Sequence, residues 1–346
     1  MKVAELREDF KFEYTDFKLR ELGKNDVKIR VKACGVCGSD IHKVAGRVWK
    51  YGYPAVMGHE FSGEVVAVGD SVNGVKVGER VVAAPLMPCY DCHYCKQSLY
   101  SMCENYKMIG SHFSGGFAEE VIVPKENILK IFDLDYKKAA FVEPLAVVMH
   151  CVLGLDIKLG DTVVVLGAGT IGMLAIQAIK NAGAKDIIAV DIDDAKLEKS
   201  KTLGATYTVN PKNENVEERI FDLTNKLGAD IVVECAGSNI TQEMALLLTK
   251  KRGLVGYLGI AYKDVLIHEK AFENIFRKEL TLKGFWNSYS APFPGREWEV
   301  AIDLIRKNKI DVASLISHEY KLEDTNKAFE MILNREEVYN KVLILP

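Results

Sequence analysis

The 346-residue chain contains no uninterrupted apolar stretch of the length needed to cross a bilayer, which takes about 20 predominantly apolar residues. Its first residues, Met1–Asp9, alternate charge with apolar side chains and lack the continuous apolar run of a signal peptide. Neither sign of charge prevails: 45 Lys and Arg stand against 48 Asp and Glu, a formal net charge of −3. The clustered basic excess that nucleic acid or an anionic membrane would favour is therefore missing. Internal repeats and low-complexity segments are absent as well. These absences point to a cytoplasmic protein whose partners are small molecules, with neither nucleic acid nor membrane among them. In that reducing compartment the eight cysteines are expected as metal ligands or small buried hydrophobes, not as disulfides.

What is present is an ordinary globular balance: 48% hydrophobic and 27% charged residues, with mean hydropathy at zero. A chain this long is expected to divide into two domains. Up to residue 143 the apolar spacing is mostly two, as in Val27, Ile29 and Val31, with glycines at 63, 69, 74 and 78 as punctuation. That half reads as a mostly β unit with tight turns and long loops. From residue 144 the pattern becomes strand, turn, helix. Asp161–Leu166 is a continuous β-branched run of the kind buried on both faces of a parallel sheet. Further strands are expected at 187–190, 230–234, 253–258 and 280–284, which together predict a doubly wound α/β domain. Pro292 and Pro294 end that pattern, Trp298–Asn308 reads as an amphipathic helix, and Lys341–Leu345 is a candidate strand to rejoin the first half. The expected division is 1–143 with 288–346 for the mostly β unit and 144–287 for the α/β unit.

Gly167-Ala168-Gly169-Thr170-Ile171-Gly172 follows a predicted strand and opens a predicted helix. That context supplies a tight turn, close backbone approach to a pyrophosphate and a helix N-terminus that favours anions. Asp191 ends the second strand 19 residues after Gly172, near the ~20 expected of the carboxylate that holds an adenine ribose. It selects NAD, since a 2′-phosphate would meet Asp191, Asp193 and Asp194 with no cation at 192. Asp193 and Asp194 themselves read as surface acids.

Cys89, Cys92, Cys95 and Cys103 form C-x2-C-x2-C-x7-C, four thiolates able to close a tetrahedral structural zinc site. An iron–sulfur cluster is the alternative, disfavoured because nothing else suggests electron transfer. His93 lies within the lobe without being needed as a ligand. A second metal site is offered by Cys37, His59, Glu60 and Glu143, drawn from three segments. Three protein ligands and one open position distinguish a catalytic zinc, which would stabilise the alkoxide formed before hydride leaves carbon. Ser39 and His42 follow Cys37 on the same turn and could carry the alcohol proton outward, while Asp40 could brace a ligand. Cys34 with Cys37 could be a redox pair, but Cys34 ends an alternating strand where a small buried residue fits. Cys151 and Cys235 are expected in the core.

Taken together, G-x-C-G-S-D-x-H at 35–42, Gly58-His59-Glu60, the four-cysteine lobe, Glu143-Pro144 and G-A-G-T-I-G resemble the zinc-dependent medium-chain alcohol and polyol dehydrogenases over essentially the whole chain. The resemblance implies a GroES-like catalytic domain holding both zincs, a Rossmann NAD domain, and hydride transfer between a secondary alcohol and nicotinamide. It further implies the sorbitol and threonine dehydrogenase branch, because Glu143 stands where liver-type alcohol dehydrogenases place a third sulfur ligand. Whether Glu60, Glu143 or both hold the metal is left open. The block Gly284–Trp298 with the C-terminal Lys341–Pro346 resembles the members of that branch acting on polyol phosphates. Free sorbitol, arabitol phosphate and threonine are the alternative substrates, and a non-catalytic NAD-binding or redox-sensing protein is the alternative of another class. Aromatics and Asn287 in that block could line a polyol pocket or could be ordinary packing. No arginine cluster announces a phosphate site, and Lys43 and Arg296 are the available donors. An exposed edge at Leu280–Gly284 could pair with its symmetry mate, and the resemblance implies a homodimer or homotetramer.

Overall fold

Along Asp26–Gly35 every second residue is apolar and buried: Val27, Ile29, Val31 and Ala33 point inward while Arg30 and Lys32 are exposed. This alternation makes the strand the spine of a mixed sheet, because one face packs on a core and the other meets water. The computed structural model describes residues 1–346, which separate into two units. Unit 1 comprises Met1–Pro144, Tyr289–Asn308 and Val312–Pro346; unit 2 comprises Leu145–Ser288 and Lys309–Asp311.

In unit 1 the main sheet runs in the order Ile128–Lys130, Arg80–Ala83, Glu60–Val68, Asp26–Gly35, Lys341–Leu345 and Ile316–Lys321, with Glu120–Pro124 also paired to the spine. Lys341–Leu345 joins antiparallel to the spine through Leu343 opposite Gly35 and Ile344 opposite Cys34, so the end of the chain does return to the first half. Phe61, Phe117, Phe329, Val342 and Ile344 are among the buried residues of its core. Trp298 sits fully buried on the helix Arg296–Arg306, close to the helix expected over 298–308.

Unit 2 is a six-stranded parallel sheet in the order Tyr207–Val209, Asp186–Val190, Thr162–Leu166, Ala229–Glu234, Thr249–Tyr257 and Thr281–Gly284. That is the strand order of a dinucleotide-binding fold, whose ligand crevice lies at the carboxyl end where the order reverses; here the reversal falls between Thr162–Leu166 and Ala229–Glu234. The strand Tyr207–Val209 is not legible in sequence, being only three residues long with Val209 its one buried residue. Of the two cysteines expected in the core, Cys151 is fully buried, whereas Cys235 keeps partial exposure just beyond the end of a strand. No helix in either unit is long and apolar enough to cross a membrane.

Candidate metal and nucleotide sites

The Cys37 segment, read from sequence as a turn, is the start of a helix, Gly38–Ala45, with Cys37 as its N-cap. The thiol replaces the usual Ser or Asp cap: its Sγ accepts from Ser39 N at 3.4 Å, and Asp40 Oδ2 accepts from Cys37 N at 3.3 Å. This reciprocal arrangement is that of a capping box. It also aims the sulfur and Asp40 to one side, toward the start of the strand Glu60–Val68. There, ligand atoms of Cys37, His59 and Glu60 all lie within 4.8 Å of one another.

Several features fit this set to a metal cation. His59 and Glu60 are buried. His59 Nδ1 lies 3.6 Å from Asp40 Oδ1, and neither atom has a hydrogen-bond partner; a carboxylate so placed orients an imidazole and leaves its other nitrogen for a metal. Burial, with the Glu60 and Asp40 carboxylates close by, pushes the Cys37 thiol up, so a positive ion is required to hold it as thiolate. Ser39 Oγ donates to Cys37 Sγ at 3.3 Å, which keeps the hydroxyl beside the candidate ligand. Burial lowers His42 below its ordinary range.

Glu143 does not join the three converging donors. It stands in the first turn of the helix Val142–Leu155, with Pro144 where a missing N–H is tolerated. Burial pushes its carboxyl up to about 7, with His59 opposing and Glu60 adding to the rise. Glu60, for its part, already has a partner that sequence reading missed. Lys341, 4% exposed, donates from Nζ to Glu60 Oε2 at 2.6 Å and to Val36 O at 3.3 Å. Burial works against its charge, but Glu60 and Cys37 outweigh that and leave its pKa raised. In the sequence it is a single lysine opening an apolar strand, K-V-L-I-L, with nothing local to distinguish it from a solvated strand end.

Cys89, Cys92, Cys95 and Cys103 also gather their sulfurs within 4.8 Å. Sγ–Sγ separations of 4.0 Å for Cys89–Cys95 and Cys92–Cys103 are close to the tetrahedral edge of about 3.8 Å that a Zn–S bond of ~2.3 Å gives. Cys92 N donates to Cys89 Sγ, and Cys89 N to Cys103 Sγ, each at 3.3 Å. Hydrogen bonds from the Asp91 and Cys92 backbone pull the Cys89 thiol down to about 6, favouring the thiolate a metal needs. His93 faces solvent and contacts Gln97 instead.

In unit 2 the turn Gly167–Gly172 has the features a dinucleotide requires. Gly167 adopts φ +95°, and a Cβ at Gly172 would come within 1.8 Å of Gly167 O, so neither position admits a side chain. A Cβ at Gly169 would meet nothing within 4 Å, and the helix Thr170–Ala182 that it caps carries no side-chain cap. Its first amides are thus left for an anion. Asp191 Oδ2 accepts from Ala168 N at 2.6 Å and Oδ1 from Asp193 N at 3.0 Å; the carboxylate braces the turn and keeps acceptor capacity for a ribose. Asp193 is the N-cap of the helix Asp194–Leu203, a structural duty in keeping with its reading as a surface acid. The far wall of the turn is Ala236, which a Cβ on Gly167 would touch at 2.8 Å. Its loop is fixed by Glu234, a buried carboxylate whose Oε1 accepts from Ala236 N, Gly237 N and Thr241 Oγ1 at 2.9, 2.9 and 2.7 Å.

In the block 284–298 two of the aromatic residues take the packing role. Trp298 and Tyr289 are core, Tyr289 accepting Leu86 N at its hydroxyl, 3.0 Å, and stacking on Phe293. Asn287, at φ +57°, keeps a buried amide Nδ2 without a partner.

Comparison with known proteins identifies the family. The alcohol dehydrogenase GroES-like domain family matches residues 23–133 and the zinc-binding dehydrogenase family residues 170–307. Galactitol 1-phosphate 5-dehydrogenase of Escherichia coli K12 is 35% identical over 93% of each chain. The crystal structure of galactitol-1-phosphate dehydrogenase from Escherichia coli superposes with a TM-score of 0.93 over the whole of both chains at 34% identity. Sorbitol dehydrogenase of Halalkalibacterium halodurans is 35% identical over 94% of this chain and 92% of its own. A zinc-binding dehydrogenase from Sinorhizobium meliloti 1021, solved with NADP bound, reaches a TM-score of 0.91 at 33% identity, covering 100% of this chain and 99% of its own. A GroES-like unit with two metal-donor sets and a Rossmann unit with an open glycine turn, matched over nearly full length, show that this chain belongs to the zinc- and NAD-dependent alcohol and polyol dehydrogenases.

Proposed function

We propose that the enzyme oxidises a secondary alcohol of a polyol phosphate to the ketose phosphate, with galactitol 1-phosphate to tagatose 6-phosphate as the leading reaction. The observation that carries the chemistry is the pair of unlike donor sets: one of four thiols, which completes a tetrahedron, and one of three mixed donors, one short of it. The reaction converts the carbinol and NAD+ into a ketone, NADH and a proton. Cys37, His59 and Glu60 would hold a zinc ion, which would supply the positive charge that makes an alcohol acidic and, in reverse, polarises a ketone. Cys37 contributes a thiolate, Asp40 orients His59, and Glu143 stands by as a second carboxylate. Ser39 Oγ takes the alcohol proton as it gives up its own to His42, which passes it to solvent. The Gly167–Gly172 turn holds the pyrophosphate, and Asp191 favours NAD through the ribose. Eight free cysteines suit a cytosolic setting.

The choice of substrate is supported by similarity to the Escherichia coli galactitol 1-phosphate dehydrogenase. Equal identity to a sorbitol dehydrogenase favours a free hexitol as the second reading. A substrate panel with NAD on zinc-replete protein separates them: kcat/KM is expected to be much higher for galactitol 1-phosphate than for galactitol or sorbitol, and equal values would sink the phosphate reading. In the same assay Cys37→Ser is expected to abolish turnover while NADH binding, followed by fluorescence, stays largely intact.

A further inference from the structure

Two lysine and arginine candidates for a phosphate contact, Lys43 and Arg296, are told apart by their surroundings. Arg296 is exposed at the start of its helix. Lys43 lies in the last turn of the helix that Cys37 caps, with its side chain 23% exposed. Its Nζ donates to Ser111 Oγ at 3.3 Å and rides over the Trp49 ring at 5.6 Å. It stands 3.7 Å from Asp40 Oδ1, the same oxygen that faces His59 Nδ1 at 3.6 Å. A single carboxylate oxygen therefore lies between this ammonium and the imidazole of His59. Asp40 Oδ1 makes no hydrogen bond to either neighbour, so of the three ammonium donors one is used by Ser111.

The next residue along completes a donor set. His112 Nδ1 accepts from Met108 N at 3.1 Å, which places the ring proton on Nε2, and the ring packs against Tyr51 at 4.3 Å. Burial first, then Lys107 and Lys43, hold His112 below its ordinary pKa, a sign of uncompensated positive potential around it. Of Lys43, Lys107 and His112, Lys43 alone contacts a carboxylate. An ammonium bonded to a hydroxyl, with an imidazole N–H on the adjoining residue and its ring within the influence of the Lys43 and Lys107 charges, supplies the kind of donors that the roughly −1.5 to −2 charge and three acceptor oxygens of a phosphate monoester take.

We infer that Lys43, Ser111 and His112 form the subsite for the phosphoryl group of the substrate, walled by Trp49 and Tyr51. The inference rests on the polyol-phosphate reading above and names what would enforce it. It is tested by measuring kcat/KM for galactitol 1-phosphate and galactitol on zinc-replete wild type, Lys43→Met and His112→Gln, alongside zinc content, melting temperature and inhibition by inorganic phosphate. Met keeps the stem that packs on Trp49 and removes only the charge. The expected result is a wild type that prefers the phosphate ester. Lys43→Met should lose about 10- to 100-fold on that ester, the factor of one charge-assisted hydrogen bond, with a much smaller loss on galactitol. His112→Gln should show a smaller change of the same kind, and competition by inorganic phosphate should weaken in step. A preference for the ester that survives in both variants overturns the subsite while leaving the substrate reading standing. A parallel loss on both substrates, or a loss of zinc, also overturns the subsite, since it marks a structural role. A wild type that treats ester and free polyol alike overturns the substrate reading and the subsite with it.

Discussion

Lys341 and Glu60 form an ion pair with both partners almost fully buried, at 5% and 2% side-chain exposure. Such a pair contributes little net stability against an apolar alternative, but breaking it by removing one partner costs about 3–5 kcal/mol, because the other charge is left buried and alone. Lys341→Met is therefore expected to lower the unfolding free energy of the metal-free protein, read by urea titration, by an amount of that order. Adding Glu60→Gln to it should recover much of the loss, and a double variant no better than the single would show that the pair is not coupled. The same bond engages one Glu60 oxygen, so the lysine also bears on how freely Glu60 reaches a metal. Neither the partner nor its burial is visible in the sequence. Glu60 was recognisable as a candidate ligand only because it follows His59; Lys341, 281 positions away, gave no sign.

At the scale of elements, the glycine turn was legible because its spacing is itself the physical requirement: a strand end, φ values forbidden to other residues and an uncapped helix. Gly172→Ala places a methyl carbon 1.8 Å from Gly167 O, so the turn must open. Weakened NADH binding together with a lower melting temperature is the expected outcome, read by fluorescence titration and calorimetry; unaltered affinity would show that the turn does not hold the cofactor. The Cys37 segment was less legible. Cysteine is an unusual N-cap, and only the geometry reveals that Asp40 completes the cap and that Ser39 donates to the thiol. Lys43 and His42 gain their places from the same fact, since a helix and a turn would send them in different directions.

At the scale of the whole molecule, the strand Thr281–Gly284 closes the parallel sheet of unit 2 with all four residues exposed, Leu282 among them at 39%. Phe272 and Phe276 stand 58% exposed on the neighbouring helix Glu269–Arg277. An unpaired, partly apolar edge of this kind invites pairing with a second copy. Sedimentation of the purified enzyme is expected to give a dimer or a dimer of dimers, and Leu282→Pro, which removes an edge N–H donor, should shift it toward the monomer. A monomeric wild type would remove the edge from consideration.

Composition, the alternating and continuous apolar runs and the spaced cysteines and glycines determined the fold class, the four-cysteine set and the nucleotide turn, because each depends on residues close together in the chain or on a period that a strand or helix imposes. Tertiary structure alone decided which donors converge, that Glu60 is paired with Lys341, that Tyr289 and Trp298 are core while Asn287 keeps an unpartnered amide, and that Lys43 meets Ser111 and His112. Those contacts join segments as far apart as the two ends of the chain. Their strength comes from burial and mutual distance, which no local pattern encodes.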